Sequence, residues 1–296
     1  VLGPTVAGRW YPADRAELER QVDGLLASGP GLGDPGAAAA PEATVAPTAL
    51  IAPHAGYLYS GAVAAAAFGR LGTSAPPRRV IVMGPSHFAA FEGAALPRAG
   101  RYRTPLGEIP LDEEAVARLE EGAAFRVDDR PFLPEHALEA ELPFLQRLLP
   151  DWRLLPVLIG AGSSAAALDA AAAALAELWN DETLLVVSSD FTHYGSSFGF
   201  VPFTAETDDV PARIEALDRG AIDRIVALDR AGFADYVTET GATICGQAPI
   251  RILLRLAAGR AVAELAAYDT SGRITGSWDH SVSYAGIVFR PGDGAS

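Results

Sequence analysis

The sequence predicts one α/β domain of three layers around a mixed, largely parallel sheet. Three short apolar runs carry that expectation: Ala49–Ala52, Val80–Met83 and Leu184–Val187 are continuous and rich in branched residues. Strands buried on both faces of a parallel sheet read this way. Each run is followed by a turn and, at some distance, a helical segment, which is the alternation of an α/β fold. The chain has 296 residues, 49% hydrophobic and 20% charged, enough apolar content to bury a sizeable core.

In chain order, Asp14 caps a first helix, with Glu17 three residues on and Leu18, Val22, Leu25 and Leu26 along one face. Residues 29–48 are rich in Gly, Ala and Pro and lack an apolar period, so they read as a flexible loop. They do not divide domains, because the segment before them is too short to bury a core alone. Strand Ala49–Ala52 precedes an Ala-rich helix, Ser60 to Leu71. Strand Val80–Met83 comes next, then a helix from Asp112 to Glu121. Arg153 to Ile159 reads as a strand interrupted by Pro156, followed by the helix Ser164 to Trp179. After the strand Leu184–Val187 come helical segments at Pro211 to Leu228 and Ile250 to Ala257. Val262 to Thr270 and Ser281 to Phe289 read as a hairpin around Ser271-Gly272 on the sheet edge. No internal repeat is visible, and the domain is expected to span 1–296.

Charge narrows the function. Basic residues number 23 against 37 acidic ones, for a net charge of −14, so nucleic acid and anionic membrane are poor partners. Every basic residue is Arg; without Lys there is no Schiff-base chemistry, pyridoxal-phosphate anchor or Walker-type phosphate loop. The single cysteine, Cys245, cannot form an internal disulfide. The first residues lack a basic region leading into an apolar stretch, so no signal peptide is read there. The least polar run, Ala165 to Trp179, is broken by Asp169 and Glu177 and reads as a helix of a water-soluble protein. A cytoplasmic location is expected.

The chemistry concentrates at histidines. His54, His87 and His193 each stand just past the C-terminal end of a predicted sheet strand, where open α/β sheets bind ligands. One such histidine would be an ordinary loop residue; three at the same relative place favour a shared site. Asp190, three residues before His193, is placed to be a ligand or an acceptor orienting an imidazole, or simply a turn residue. Cys245 lies in a Gly-flanked turn before a helix, where the dipole favours thiolate, a nucleophile or soft metal ligand. His136 would share a face with Glu139 if this stretch were helical, and is placed beside the ligands or as a substrate-facing acid. His280 begins a strand and is expected to be solvated.

These residues sit in an ordered set of motifs. They include Arg9-Trp10-Tyr11-Pro12, Ala52-Pro53-His54-Ala55-Gly56-Tyr57, Gly84-Pro85-Ser86-His87, Thr104-Pro105-Leu106-Gly107 and Glu135-His136. Ser188-Ser189-Asp190-Phe191-Thr192-His193-Tyr194 and Ile244-Cys245-Gly246 complete it. In these, over almost the whole chain, the sequence resembles the Memo family, called AmmeMemoRadiSam system protein B in prokaryotes, which is similar in fold to class III extradiol dioxygenases. In those dioxygenases two His and one Glu hold non-haem Fe(II). The resemblance therefore implies His54 and His87 as imidazole ligands and His193 as acid/base, with Cys245 standing where the dioxygenases have a carboxylate. A thiolate there softens the site and invites Cu or Zn beside Fe(II).

The expected function is thus a mononuclear metal site performing dioxygenase-like redox chemistry on a small molecule. The metal ligands would be His54, His87 and Cys245, with His193, Asp190 and His136 as the catalytic residues beside them. The resemblance also implies association with an AMMECR1-domain protein and a radical SAM protein. Two alternatives stand beside this reading. One is a catalytically silent binding or scaffold protein using the same crevice for a peptide or protein, with Arg101 and Arg103 as anion contacts. The other is a metal-free hydrolase with Cys245 as nucleophile, His193 as base and Asp190 as orienter.

Overall fold

The structure, a computed structural model, describes residues 1–28, 45–72, 76–203 and 209–292; most of the expected 29–48 loop lies outside the described residues. The strands are β1 (Ala49–Ala52), β2 (Arg79–Pro85), β3 (Ala94–Leu96), β4 (Arg101–Thr104), β5 (Gly107–Pro110) and β6 (Phe125–Val127), followed by β7 (Arg153–Ile159), β8 (Thr183–Ser188), β9 (His193–Gly195), β10 (Ala261–Thr270) and β11 (His280–Pro291). The helices are α1 (Arg15–Ser28), α2 (Tyr57–Phe68), α3 (Glu113–Glu120), α4 (Leu142–Leu148), α5 (Ala165–Ala176), α6 (Val210–Val226), α7 (Arg230–Thr240), α8 (Gln247–Ala257) and the short α9 (Ser271–Thr275).

The main sheet runs β10-β11-β1-β8-β2-β7-β3-β6. Its centre, β1-β8-β2-β7, is parallel, with Leu50 opposite Val186, Ile81 opposite Leu185 and Val82 opposite Pro156. Antiparallel β11 and β10 extend one side, and β3, antiparallel to β7, extends the other. β4 and β5 form a separate hairpin.

Alternation along the buried strands divides the core in two. Ile51, Ile81, Met83, Leu155 and Leu185 face one way, packing with Leu168, Ile222, Phe233 and Leu253 from α5, α6, α7 and α8. Leu50, Val80, Val82, Leu154 and Val186 face the other, with Leu18, Phe68 and Phe144 from α1, α2 and α4. Neighbouring side chains on a strand point to opposite faces, so a continuous apolar run needs helices on both sides, which makes three layers. Each fully buried Leu, Ile or Val contributes about 1.5–3 kcal/mol.

Two local expectations change. The β10–β11 connection is α9, not a tight turn; the Thr270 hydroxyl accepts from the Arg273 N–H and Gly276, at φ 74°, ends the helix. His136 is not helical: a 3-10 turn begins at Glu139, and α4 begins only at Leu142 with Pro143 in its first turn. The Glu139 carboxylate turns inward instead, accepting from the N–H (2.5 Å) and hydroxyl (2.8 Å) of Thr5 and the N–H of Val6 (3.1 Å), and from the Tyr11 hydroxyl. That carboxylate ties the N-terminal segment to the loop carrying His136.

Candidate metal centre

The parallel centre of the sheet delivers the site. β1 ends at Ala52 and β2 at Pro85, so His54 and His87 emerge from the same edge of the sheet, and β8 ends at Ser188 just before Asp190 and His193. Gly84 lets the loop of His136 close onto β2: a Cβ there would meet Leu138 Cδ2 at 2.9 Å and Ala137 Cβ at 3.1 Å. Metal-ligating atoms of His54, His87 and His136 all come within 4.8 Å of one another. The rings of His87 and His136 stack at 4.8 Å between centroids, and His54 meets both edge-on, at 5.3 and 5.7 Å.

Each imidazole is held from behind. His54 is 2% exposed; its Nδ1 lies 2.8 Å from Ser188 Oγ, and Ser188 in turn donates toward the Ala137 carbonyl and the buried Glu141 carboxyl. Its backbone N–H donates to Asp190 Oδ1 at 2.9 Å. His87 meets Glu135 twice, through its backbone N–H at 2.7 Å and its Nδ1 at 2.9 Å. The same carboxylate accepts the backbone N–H groups of His136 and Ala137. Such outer carboxylates fix ring orientation and leave the second ring nitrogen free for an ion. Trp10, from the N-terminal motif, packs edge-on to His136 at 4.4 Å.

The electrostatics favour neutral rings at His54 and His136. Burial, then the neighbouring His87, pushes His54 well below the ordinary imidazole range. Burial and His54 lower His136 to about 4. Burial works to raise Glu135, but the hydrogen bonds and charge of His87 and the backbone amides hold it at about 2. A neutral imidazole is the protonation state that metal binding requires.

Cys245 touches this group at one point, with Sγ 3.3 Å from His54 Nε2. Asp190 donates its backbone N–H to the sulfur at 3.2 Å. Burial, together with the Asp190 charge, pushes the thiol well up from its ordinary value, which outweighs the helix dipole expected to favour thiolate. Gly246 brings the start of α8 against β8, since a Cβ there would lie 2.3 Å from Ser189 Cβ. Burial also raises Asp190. His193 is tied by Nδ1 to the carbonyls of Phe191 and Thr243, each at 2.9 Å. His280 is exposed, against Ser197 at 2.8 Å. Arg101 and Arg103 both pair with Glu108 across the β4–β5 hairpin.

The structure thus gathers His54 and His87 as the sequence expected, brings His136 in as a third imidazole, and sets Cys245 against His54. Glu135, Ser188 and Glu141 were not among the expected site residues; the adjacency of Glu135 to His136 was the available signal. No helix among the described residues is long and apolar enough to cross a membrane.

A family profile described as Memo-like protein matches residues 3–288. A memo-1 homolog of Caenorhabditis elegans is 35% identical over 298 residues, covering 96% of this chain and 81% of that one. A MEMO1 family protein of Methanopyrus kandleri is 35% identical over 295 residues, covering 98% and 99%. An uncharacterised Escherichia coli K12 protein of known structure superposes with TM-score 0.48 at 16% identity, over 81% of this chain and 98% of that one. On the profile match and these identities, the chain belongs to the Memo family.

Proposed function

We propose that the protein binds one metal ion through His54, His87 and His136, with Cys245 as a further sulfur donor beside His54, and uses it for redox chemistry on a small molecule. The observation that carries this reading is the convergence of three imidazoles within 4.8 Å. The donor set fits such an ion: Nδ1 of His54 is tied to Ser188 and Nδ1 of His87 to Glu135, which leaves His87 Nε2 for an ion and sets His54 Nε2 beside the Cys245 sulfur at 3.3 Å. Imidazoles suit Fe, Cu and Zn, and a sulfur donor adds softness. Fe(II) is our first assignment, with Cu or Zn as alternatives.

A bound ion would supply Lewis acidity and, for Fe or Cu, one-electron chemistry. The chain supplies the rest. Glu135 and Ser188 orient the rings, Asp190 holds the His54 backbone, and His193 presents the nitrogen that its two carbonyl contacts leave unused as the proposed acid/base. A Cys245–His193 hydrolase finds less support, because the sulfur contacts His54 and its thiol is pushed up by burial.

Metal analysis of protein purified without chelator, beside His54→Ala, His87→Ala and His136→Ala, tests the reading. One ion in the wild type and almost none in the variants is expected. Equal, near-zero metal in all four would overturn it.

A further inference from the structure

A pocket of about 400 Å³ adjoins the histidine cluster, lined by His87, Cys245, Gln247, Ala248, Arg251 and the loop of residues 160–163. This is within the usual size of a small-molecule site. Gln247, Ala248 and Arg251 fall on one face of α8, at i, i+1 and i+4. Arg251 differs from its neighbour one turn on. Arg255 pairs with Asp169 at 3.3 Å, whereas Arg251 has no carboxylate partner among the described residues and its Nε–H is buried without a hydrogen-bond acceptor. A buried guanidinium N–H without an acceptor is a rare arrangement in a folded protein, and Arg251 is one of the residues lining a cavity that His87 and Cys245 share.

The rest of that wall is uncharged: the loop of residues 160–163 is Gly-Ala-Gly-Ser. Behind the histidines stand Glu135 and Asp190, both carboxyl groups, which disfavour a second negative charge close by. One free cation in such surroundings matches one negative charge. The planar guanidinium fork binds carboxylate oxygens in pairs.

We propose that Arg251 receives the carboxylate of a small organic acid whose other end faces His54, His87 and His136. This assignment of substrate class rests on the reading of those histidines as a metal centre.

The test is a calorimetric titration with benzoate, using benzamide as the uncharged isostere and inorganic phosphate as the alternative anion, on metal-loaded and metal-free protein. Wild type should bind benzoate in preference to both. Arg251→Gln should weaken benzoate by at least about tenfold, as expected when a buried charge pair loses a partner. Ala161→Asp, which puts a competing carboxylate on the facing loop, should weaken it comparably while leaving Arg251 in place. Arg153→Gln, at the exposed start of β7, should change nothing. Metal content of the same samples separates the two readings: Arg251→Gln should keep the wild-type content. If no sample holds metal yet benzoate still requires Arg251, the metal reading falls and with it the substrate assignment, leaving only a carboxylate-binding site at Arg251. Undetectable benzoate binding to wild type, equal binding to Arg251→Gln, equal binding of benzamide, or tighter binding of phosphate would each overturn the carboxylate assignment.

Discussion

Glu135 governs two histidines at once, accepting from the backbone and ring of His87 and from the backbone of His136. Glu135→Gln keeps its shape but turns an acceptor into an N–H₂ that must face N–H groups. We expect metal affinity to fall by about 10–100-fold, read by competition with a chromogenic chelator, with the far-ultraviolet circular dichroism unchanged. His136 gives a second test. Burial disfavours its charged form, so as pH falls the metal-free ring should stay neutral past the ordinary value of 6.5 and protonate only near about 4. His54 should protonate lower than an ordinary imidazole as well. Proton NMR of the imidazole Cε1–H signals measures both, and a His136 midpoint near 6.5 would contradict the burial argument. At this scale the sequence was legible where a motif follows a strand: His54, His87, Asp190 and His193 could be placed from their local runs alone. Glu135 and Ser188 could not, because their partners are 48 and 134 residues away, and a buried carboxylate has no local signature. The His136–Glu139 pairing misled because α4 begins only at Leu142, with Pro143 in its first turn, leaving His136 ahead of the 3-10 turn that starts at Glu139.

α8 is the element whose placement the site depends on most. Its N-cap Gly246 donates to Ser189 Oγ at 3.0 Å, and no larger residue fits against Ser189. Gly246→Ala should therefore push Cys245 and the start of α8 away from β8. We expect a loss of about 1–3 kcal/mol, the usual cost of overpacking, measured by urea unfolding; an unchanged midpoint would show that the helix can shift freely. Elements long enough to show a period were readable. β1 and β7 match their expected bounds residue for residue, and α2, α3, α5, α6 and α8 match theirs within a few residues. The unread elements are mostly short: β3, β6 and β9 have three residues each, too few to show alternation. They exist because neighbouring strands offer free backbone groups, which is tertiary information. α7 was missed for another reason. It carries only two buried residues, Phe233 and Val237, and so presents a weak apolar stripe.

For the molecule as a whole, a ligand that binds only the folded state must stabilise it. If the three imidazoles hold an ion, adding metal at a hundredfold excess over its Kd should raise unfolding stability by about 2.7 kcal/mol. Thermal unfolding with and without chelator measures this, and His136→Ala should show no such difference. The three-layer architecture was legible because both faces of the central strands are apolar; the strand order was not, since any run of this kind can take several neighbours. The sheet order also sets a timetable. β11 lies between β10 and β1, and it further pairs with β9, where His193 begins the strand opposite Val282. Every histidine of the cluster precedes β11 in the chain, so on the ribosome the imidazoles and the thiol emerge before the strand that completes the sheet beside them. Pairings this distant in sequence close late. Newly made chains should therefore pass through a stage in which His54, His87, His136 and Cys245 are all present and β1 is still an open edge, vulnerable to association.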